Sequence, residues 1–398
     1  MACVYVIGTL DTKGEELRYA ADLIRKAGAA ALLVDVSTRA HKGAADVTAK
    51  EVAAHHPSGV KAVLGLSDRG QAVTAMAEAL TRFLLGRNDV GAVLGLGGSG
   101  NTAMVTTAMQ ALAVGVPKLM VSTLASGNVA PFVGASDIMM LHAVADVAGL
   151  NSVTRQVLGN AAHAVAGMVL HEVPVPQSSR PAIGFTMFGV TTEAVTRMRA
   201  ALEKSHDSFV FHATGTGGQC FEKLIDSGLL SAAIDLTTTE VPDHLFGGIL
   251  PCTDDRFGAV IRRRIPYLGS VGACDMVNFG ARDSVPAKYA DRKFHIHNPF
   301  VTLMRTTARE NAEIGTWIVA RLNLMQGPVR FLLPLHGVSA IDAKGKPFHD
   351  PAADQALFES IRKGWRAAPN RKLIEIDANI NDAKFAKQAL AAFHDMTI

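Results

Sequence analysis

Cysteine is scarce: four residues in 398, at positions 3, 220, 252 and 274, with no C-x-x-C pair. That excludes a disulfide scaffold and makes a reducing cytoplasm the expected compartment. Aromatic residues are only 6% and charged residues 19%, while a mean hydropathy of +0.20 excludes a disordered chain. The net charge is only +3, and residues 1–176 balance 13 Lys/Arg against 13 Asp/Glu. Neither half is basic enough to hold nucleic acid by electrostatics, so a small molecule is the expected partner. The start, Met1-Ala-Cys-Val-Tyr-Val-Ile-Gly8, lacks the basic and long apolar regions of a signal peptide. Between Asp89 and Asp137 the only charge is Lys118, yet glycines, Pro117 and Pro131 cut that stretch into strand-sized runs. It reads as the inside of a parallel sheet, with no membrane implied.

What is abundant is glycine, 36 residues among many Ala, Val and Leu, which suits α/β units with tight strand-to-helix turns. Val4–Ile7 reads as a strand, and Thr12-x-x-Glu15 has the spacing of a helix-starting capping box. Gly28 ends that helix and Ala31–Val36 is the next strand. Helices are expected over 70–85, 101–112 and 151–172, with strands over 92–96 and 118–122; Val60–Leu66 fits a strand or a buried helical turn. Three prolines within 174–181 mark a linker. Beyond it the alternation restarts: residues 182–193 resemble the opening turn and feed a helix through Met198 and Leu202, followed by strands over 209–212, 231–236, 329–333 and 372–376, and helices over 303–324, 352–364 and 382–393. The expected fold is α/β: two doubly wound, mostly parallel-sheet Rossmann-like domains, 1–176 and 177–398, with a cleft between them.

In open α/β sheets ligands bind beyond the carboxyl ends of the strands. Four polar turns fall there in the first half: Thr9, Asp11, Thr12 and Lys13; Asp35 and Ser37; Gly97-Gly98-Ser99-Gly100-Asn101-Thr102; and Ser122, Thr123 and Gly127. The third is the strongest, because glycines let a backbone approach an anion and the following helix offers free N–H groups. A tight turn with Ser99 as a cap is the plainer reading. It is neither a Walker loop nor the full dinucleotide pattern. Lys13 is poorly placed for a helix dipole unless a phosphate lies beside it. Asp35 could meet a ribose hydroxyl or a metal-bound water, or serve as a turn aspartate.

The motifs Gly8-Thr-Leu-Asp-Thr-Lys-Gly-Glu15, Asp68-Arg-Gly70, Gly95-Leu-Gly-Gly-Ser-Gly-Asn-Thr102, Gly272-Ala-Cys-Asp-Met-Val-Asn-Phe-Gly280, His295-Ile-His-Asn-Pro299 and Asn379-Ile-Asn-Asp382 span nearly the whole chain. Together they resemble the ATP-binding family named after the tomato mosaic virus resistance protein. That resemblance implies a two-part α/β protein whose first half binds ATP with Mg²⁺ and which tends to dimerise.

In the second half, His295 and His297 on an extended segment would put two imidazoles on one face as a metal pair, with Asp275 or Glu240 as a third ligand or a base. His297, Asp275 and Glu240 are the candidate catalytic residues, and the alternative is that these groups only satisfy loops. The leading expectation is a cytosolic ATP–Mg²⁺-binding protein, an enzyme of unknown substrate acting at the interdomain cleft. The alternatives are a non-catalytic nucleotide-responsive module with a protein partner, and a metal-dependent hydrolase or lyase centred on the second half. The apolar run Met139-Met140-Leu141 suggests surface covered in a homodimer.

Overall fold

The computed structural model describes residues 2–171, 173–174 and 180–397. The core of the expected linker, residues 175–179, lies outside the described residues. The chain divides into two compact units at 176/177, each with its own core.

In the first unit, β1 (Cys3–Gly8), β2 (Ala31–Asp35), β3 (Val90–Gly97), β4 (Lys118–Ser122) and β5 (Ile138–His142) form one parallel sheet in the order β2-β1-β3-β4-β5. β1 and β4 are buried along their whole length. That is why their interiors, Val4–Ile7 and Leu119–Val121, are continuously apolar rather than alternating. Helices Leu10–Lys26 and Ser152–Leu170 cover one face, packing through Leu17, Ala21, Leu158 and Ala162. Helices Arg69–Leu85 and Ser99–Ala111 cover the other through Met76, Leu80, Val105 and Ala108. The ambiguous segment 60–66 is a helical turn, Lys61–Leu64. The run Met139-Met140-Leu141 belongs to β5, an edge strand that the sequence pattern did not reveal; Met139 is exposed and its two neighbours are half-buried.

The second unit carries a six-stranded parallel sheet. Its strands are β6 (Ala182–Met187), β7 (Asp207–His212), β8 (Ala232–Thr237), β9 (Tyr267–Gly272), β13 (Val329–Pro334) and β14 (Arg371–Ile376). They lie in the order β14-β13-β9-β8-β6-β7. Between β9 and β13 the chain makes a three-stranded antiparallel excursion of β10 (Met276–Phe279), β11 (Phe294–Asn298) and β12 (Val301–Arg305), in the order β10-β12-β11. The helix expected from 303 therefore starts later, at Ala308. Residues 301–305 are the central strand of that excursion, and Thr307 with Glu310 forms the true capping box. Both units are doubly wound Rossmann-like α/β folds.

The helix Arg69–Leu85 is started by Asp68, whose Oδ1 accepts from the Gln71 N–H at 2.8 Å. Asp68→Ala should cost about 1 kcal/mol of stability, read as a lower urea midpoint with an unchanged slope.

Candidate functional site

Strand order in the first unit reverses between β1 and β3, so the crevice beyond Gly8 and Gly97 is its topological switch point. The chain after β1 turns into helix earlier than the Thr12 box implied. Helix starts at Leu10, with Thr9 at the cap position. Thr9 Oγ1 is spent on Thr12 Oγ1, 2.9 Å away, rather than on a backbone N–H. Lys13 leaves helical geometry (φ −130°, ψ 24°), and its Nζ lies 4.0 Å from the exposed Asp146. Asp11 and Thr12 are exposed.

Across the crevice, the helix Ser99–Ala111 also starts earlier than expected, directly after Gly98. Ser99 is inside the helix rather than its cap, and no side chain caps this N-terminus. Its leading N–H groups thus lack an intrahelical partner. A Cβ on Gly98 would meet nothing nearer than Thr123 Oγ1, at 3.9 Å. The protein's own packing therefore does not require glycine there. Asn101 fits between the two strand ends: Cβ atoms on Gly8 and Gly97 would lie 3.3 and 3.0 Å from its side chain, and its Nδ2 donates to the Leu96 carbonyl. Thr102 Oγ1 meets Ser122 Oγ at 2.7 Å, and Ser122 Oγ accepts from the Leu124 N–H, which joins the β3 and β4 loops. Gly127 is exposed farther along that loop. The structure brings Thr9–Lys13, Gly97–Thr102, Ser122 and Thr123 to one edge.

Asp35 is a brace at that edge. Its Oδ1 accepts from the Leu10 N–H (3.2 Å), the Ser37 N–H (2.9 Å) and Ser37 Oγ (2.6 Å), while Oδ2 pairs with His41 Nε2 at 2.8 Å. These bonds tie the β1 turn to the β2 turn, and Ser37 Oγ also accepts from the Asp11 N–H at 3.2 Å. Beside Asp35 opens a cavity of about 320 Å³ lined by Thr38, Arg39, His41, Thr48 and Lys50. Sequence reasoning passed over these residues. The legible signal was Thr48-x-x-Glu51, which forms a complete capping box.

The second unit repeats the grammar with a different outcome. Its Gly-rich segment, Thr214–Gly218, also leads into a helix, Thr216–Asp226, which begins within it. Here the Gly215 and Gly218 N–H groups donate to Glu240 Oε1 at 2.7 and 3.1 Å. The protein's own carboxylate fills the place an anion would take. A Cβ on Gly218 would sit 2.0 Å from Glu240 Oε2. Glu240 is fully buried and its other oxygen accepts from Arg256 Nε at 3.3 Å. Arg256 also donates to Asp235 at 2.8 Å and lies 3.7 Å from Glu222. Burial raises the Glu240 pKa against the pull of Arg256, and pushes Glu222 up to about 8. Glu240 is thus placed as a structural counter-charge. Cys274 is fully buried and burial pushes its thiol up to about 12, which leaves no thiolate for nucleophilic attack.

The proposed metal set does not assemble. His297 is exposed on the edge strand β11, where the pairing register shifts between Ile296 and Asn298 and interrupts the alternation that would align it with His295. The His295 ring packs on Phe348. Asp275 is fully buried, bonded through Oδ2 to Ser339 Oγ at 2.9 Å. Among the described residues, no group of three His, Cys, Asp or Glu side chains could hold a metal ion.

The two Gly-rich turns predict opposite responses. Gly218→Ala should destabilise the protein by roughly 1–3 kcal/mol through collision with Glu240. Gly98→Ala, which meets open space, should cost less than about 1 kcal/mol. Urea unfolding of the two variants side by side checks this.

Comparison with known proteins follows the same division. Residues 2–174 match the N-terminal domain, and residues 180–397 the C-terminal domain, of an uncharacterised protein family, UPF0261. The chain is 54% identical over 396 residues to a UPF0261 protein of Mesorhizobium japonicum, covering 100% of this chain and 99% of the relative. It is 37% identical over 419 residues to the ToMV resistance protein Tm-1(GCR237) of Solanum lycopersicum, covering 99% of this chain but 56% of the tomato protein. The ToMV susceptible protein tm-1(GCR26) of the same plant matches equally, at 37%. This chain belongs to the UPF0261 family.

Proposed function

We propose that the first unit binds ATP with Mg²⁺. The observation that carries this reading is the meeting of two polar turns at the β1/β3 switch point, one with an uncapped helix N-terminus behind an open Gly98 and the other bearing Lys13. Such an edge suits a polyphosphate: backbone N–H groups and the helix dipole receive the phosphoryl oxygens, and Lys13 supplies the mobile positive charge. The choice of ATP among polyphosphates rests on the family resemblance of the motifs above. Mg²⁺ needs one or two carboxylates beside phosphate oxygens and water. Asp35 is taken up by its four bonds, so the exposed Asp11 is the carboxylate that would hold the ion.

A second reading, a nucleotide-responsive module acting through a protein partner, draws support from the tomato relatives, whose names concern virus resistance and susceptibility. The hydrolase or lyase reading has less support: His297 is exposed, Asp275 is fully buried, and among the described residues no group of three His, Cys, Asp or Glu side chains could hold a metal ion.

Calorimetry tests the site. Gly98→Val should weaken ATP binding at least ~10-fold while the urea midpoint stays near that of the parent protein, and Asp11→Asn should weaken binding only when Mg²⁺ is present. Unchanged ATP affinity in a folded Gly98→Val protein overturns the reading. We also propose a homodimer, supported by the exposed Met139 on the edge strand β5; light scattering should return twice the chain mass of 42.0 kDa, and a monomer mass refutes it.

A further inference from the structure

The second unit holds a buried acidic cluster that neither reading above uses. Asp275 on the turn between β9 and β10, Asp342 on the loop after β13 and Asp354 in the helix Pro351–Gly364 surround Arg305 at the end of β12. All four side chains are more than nine-tenths buried. Arg305 Nη2 donates to Asp354 Oδ1 at 2.6 Å and lies 3.6 Å from Asp342 Oδ1. One guanidinium thus faces three carboxyls. Asp275 Oδ2 accepts from Ser339 Oγ, and Asp342 Oδ2 from the Val338 N–H, each at 2.9 Å. Among the described residues, the other oxygen of each, Asp275 Oδ1 and Asp342 Oδ1, is buried with no donor within hydrogen-bond distance, Arg305 standing 3.6 Å from the latter.

The surrounding charged groups do not repair this. Arg292 is paired with Glu310 at 2.6 Å and gives its remaining bond to the Arg305 carbonyl. The Asp350 carboxylate caps the helix at Ala353, and Asp382 accepts from the Asn379 N–H. His349 lies on the same loop as Asp342, with its Nδ1 buried and bonded to nothing. The His295 ring packs against Phe348. Two ionised carboxylates, each with a donorless oxygen out of water, would be costly. A proton fits a space closed to water and turns one of those oxygens into a donor.

We propose that Asp275 carries a proton, and that this proton latches the loop 335–350 onto the carboxyl edge of the second sheet. The loop is held at the same place by Arg305 Nε on the Phe348 carbonyl at 2.8 Å and by Asn379 Nδ2 on the Ser339 and Asp342 carbonyls at 3.1 Å. Its Ala340 and Ala343 form one wall of a cavity of about 390 Å³ that Thr192, Arg197 and Asn381 also line. Loss of the proton sets two like charges against each other in a low-dielectric interior, and the wall loosens. Burial, with the Asp342 charge second, pushes Asp275 up to about 7; burial and the same charge push Asp354 up to about 8. For acids raised in this way, the stabilisation is complete below the ordinary carboxylate range. It is lost as pH rises through about 7 to 8.

Hydrogen exchange on the full chain tests the latch. Peptides covering 335–350, corrected for intrinsic rates, should lose protection at least ~10-fold between about pH 6 and about pH 8.5. Asp342→Asn, whose amide supplies the missing donor, should keep them protected throughout; Asp275→Asn serves the same purpose if the first variant does not fold. Infrared spectra should show a carboxylic-acid carbonyl band at about pH 6 that weakens by about pH 8.5, and Asp275→Asn should remove one component of that band at about pH 6. Protection that does not change with pH, or the absence of that component at about pH 6, overturns the proposal.

Discussion

A parallel sheet covered by helices on both faces leaves its polar side chains one place to go, the carboxyl edge. Both units obey this constraint. In the first, Asp35 and Ser122 close β2 and β4, Ser37 and Thr102 lie in the turn and the helix just beyond strand ends, and their side chains bond from one turn to the next. In the second, Thr186, Thr191, Thr237 and Asp235 do the same: Thr186 Oγ1 donates to Asp235 at 2.6 Å and Thr191 Oγ1 meets Thr237 Oγ1 at 2.8 Å. The density of polar residues in these turns is a product of the fold before it is a sign of chemistry.

The two Gly-rich turns show how one local grammar serves two ends. Each follows a strand, leads into a helix and presents backbone N–H groups. At Gly215–Gly218 the second unit supplies its own anion, Glu240, which is in turn neutralised by the buried Arg256. At Gly98–Gly100 no side chain comes to cap the helix. The first arrangement stiffens a core; the second leaves the helix N-terminus without a side-chain cap. The difference lies in one carboxylate 22 residues beyond Gly218 in the chain.

Buried charge organises the rest of the second unit. Arg256 gathers Glu222, Asp235 and Glu240, and Arg305 gathers Asp275, Asp342 and Asp354. Each guanidinium draws together elements far apart in sequence. Breaking such a group by removing one partner costs far more than the group adds to net stability. Residues that resemble a reactive constellation in the chain, Asp275 and Glu240 above all, are therefore engaged in holding loops to the sheet.

Much of this was legible from residue order. The alternation of apolar runs with helical periodicity, broken by glycine and proline, was enough for two doubly wound units, and strand-end turns in the first half were enough for a candidate site. Local pattern could not reveal β5 or the β10–β12 excursion. Met139 and Leu303 are apolar in either a helix or a strand, and only pairing with β4 or with β10 and β11 decides between them. Nor could it tell an open glycine turn from a filled one. Whether Gly98 or Gly218 faces a carboxylate depends on a side chain brought from elsewhere by the sheet, and that contact exists only once the strands are in register.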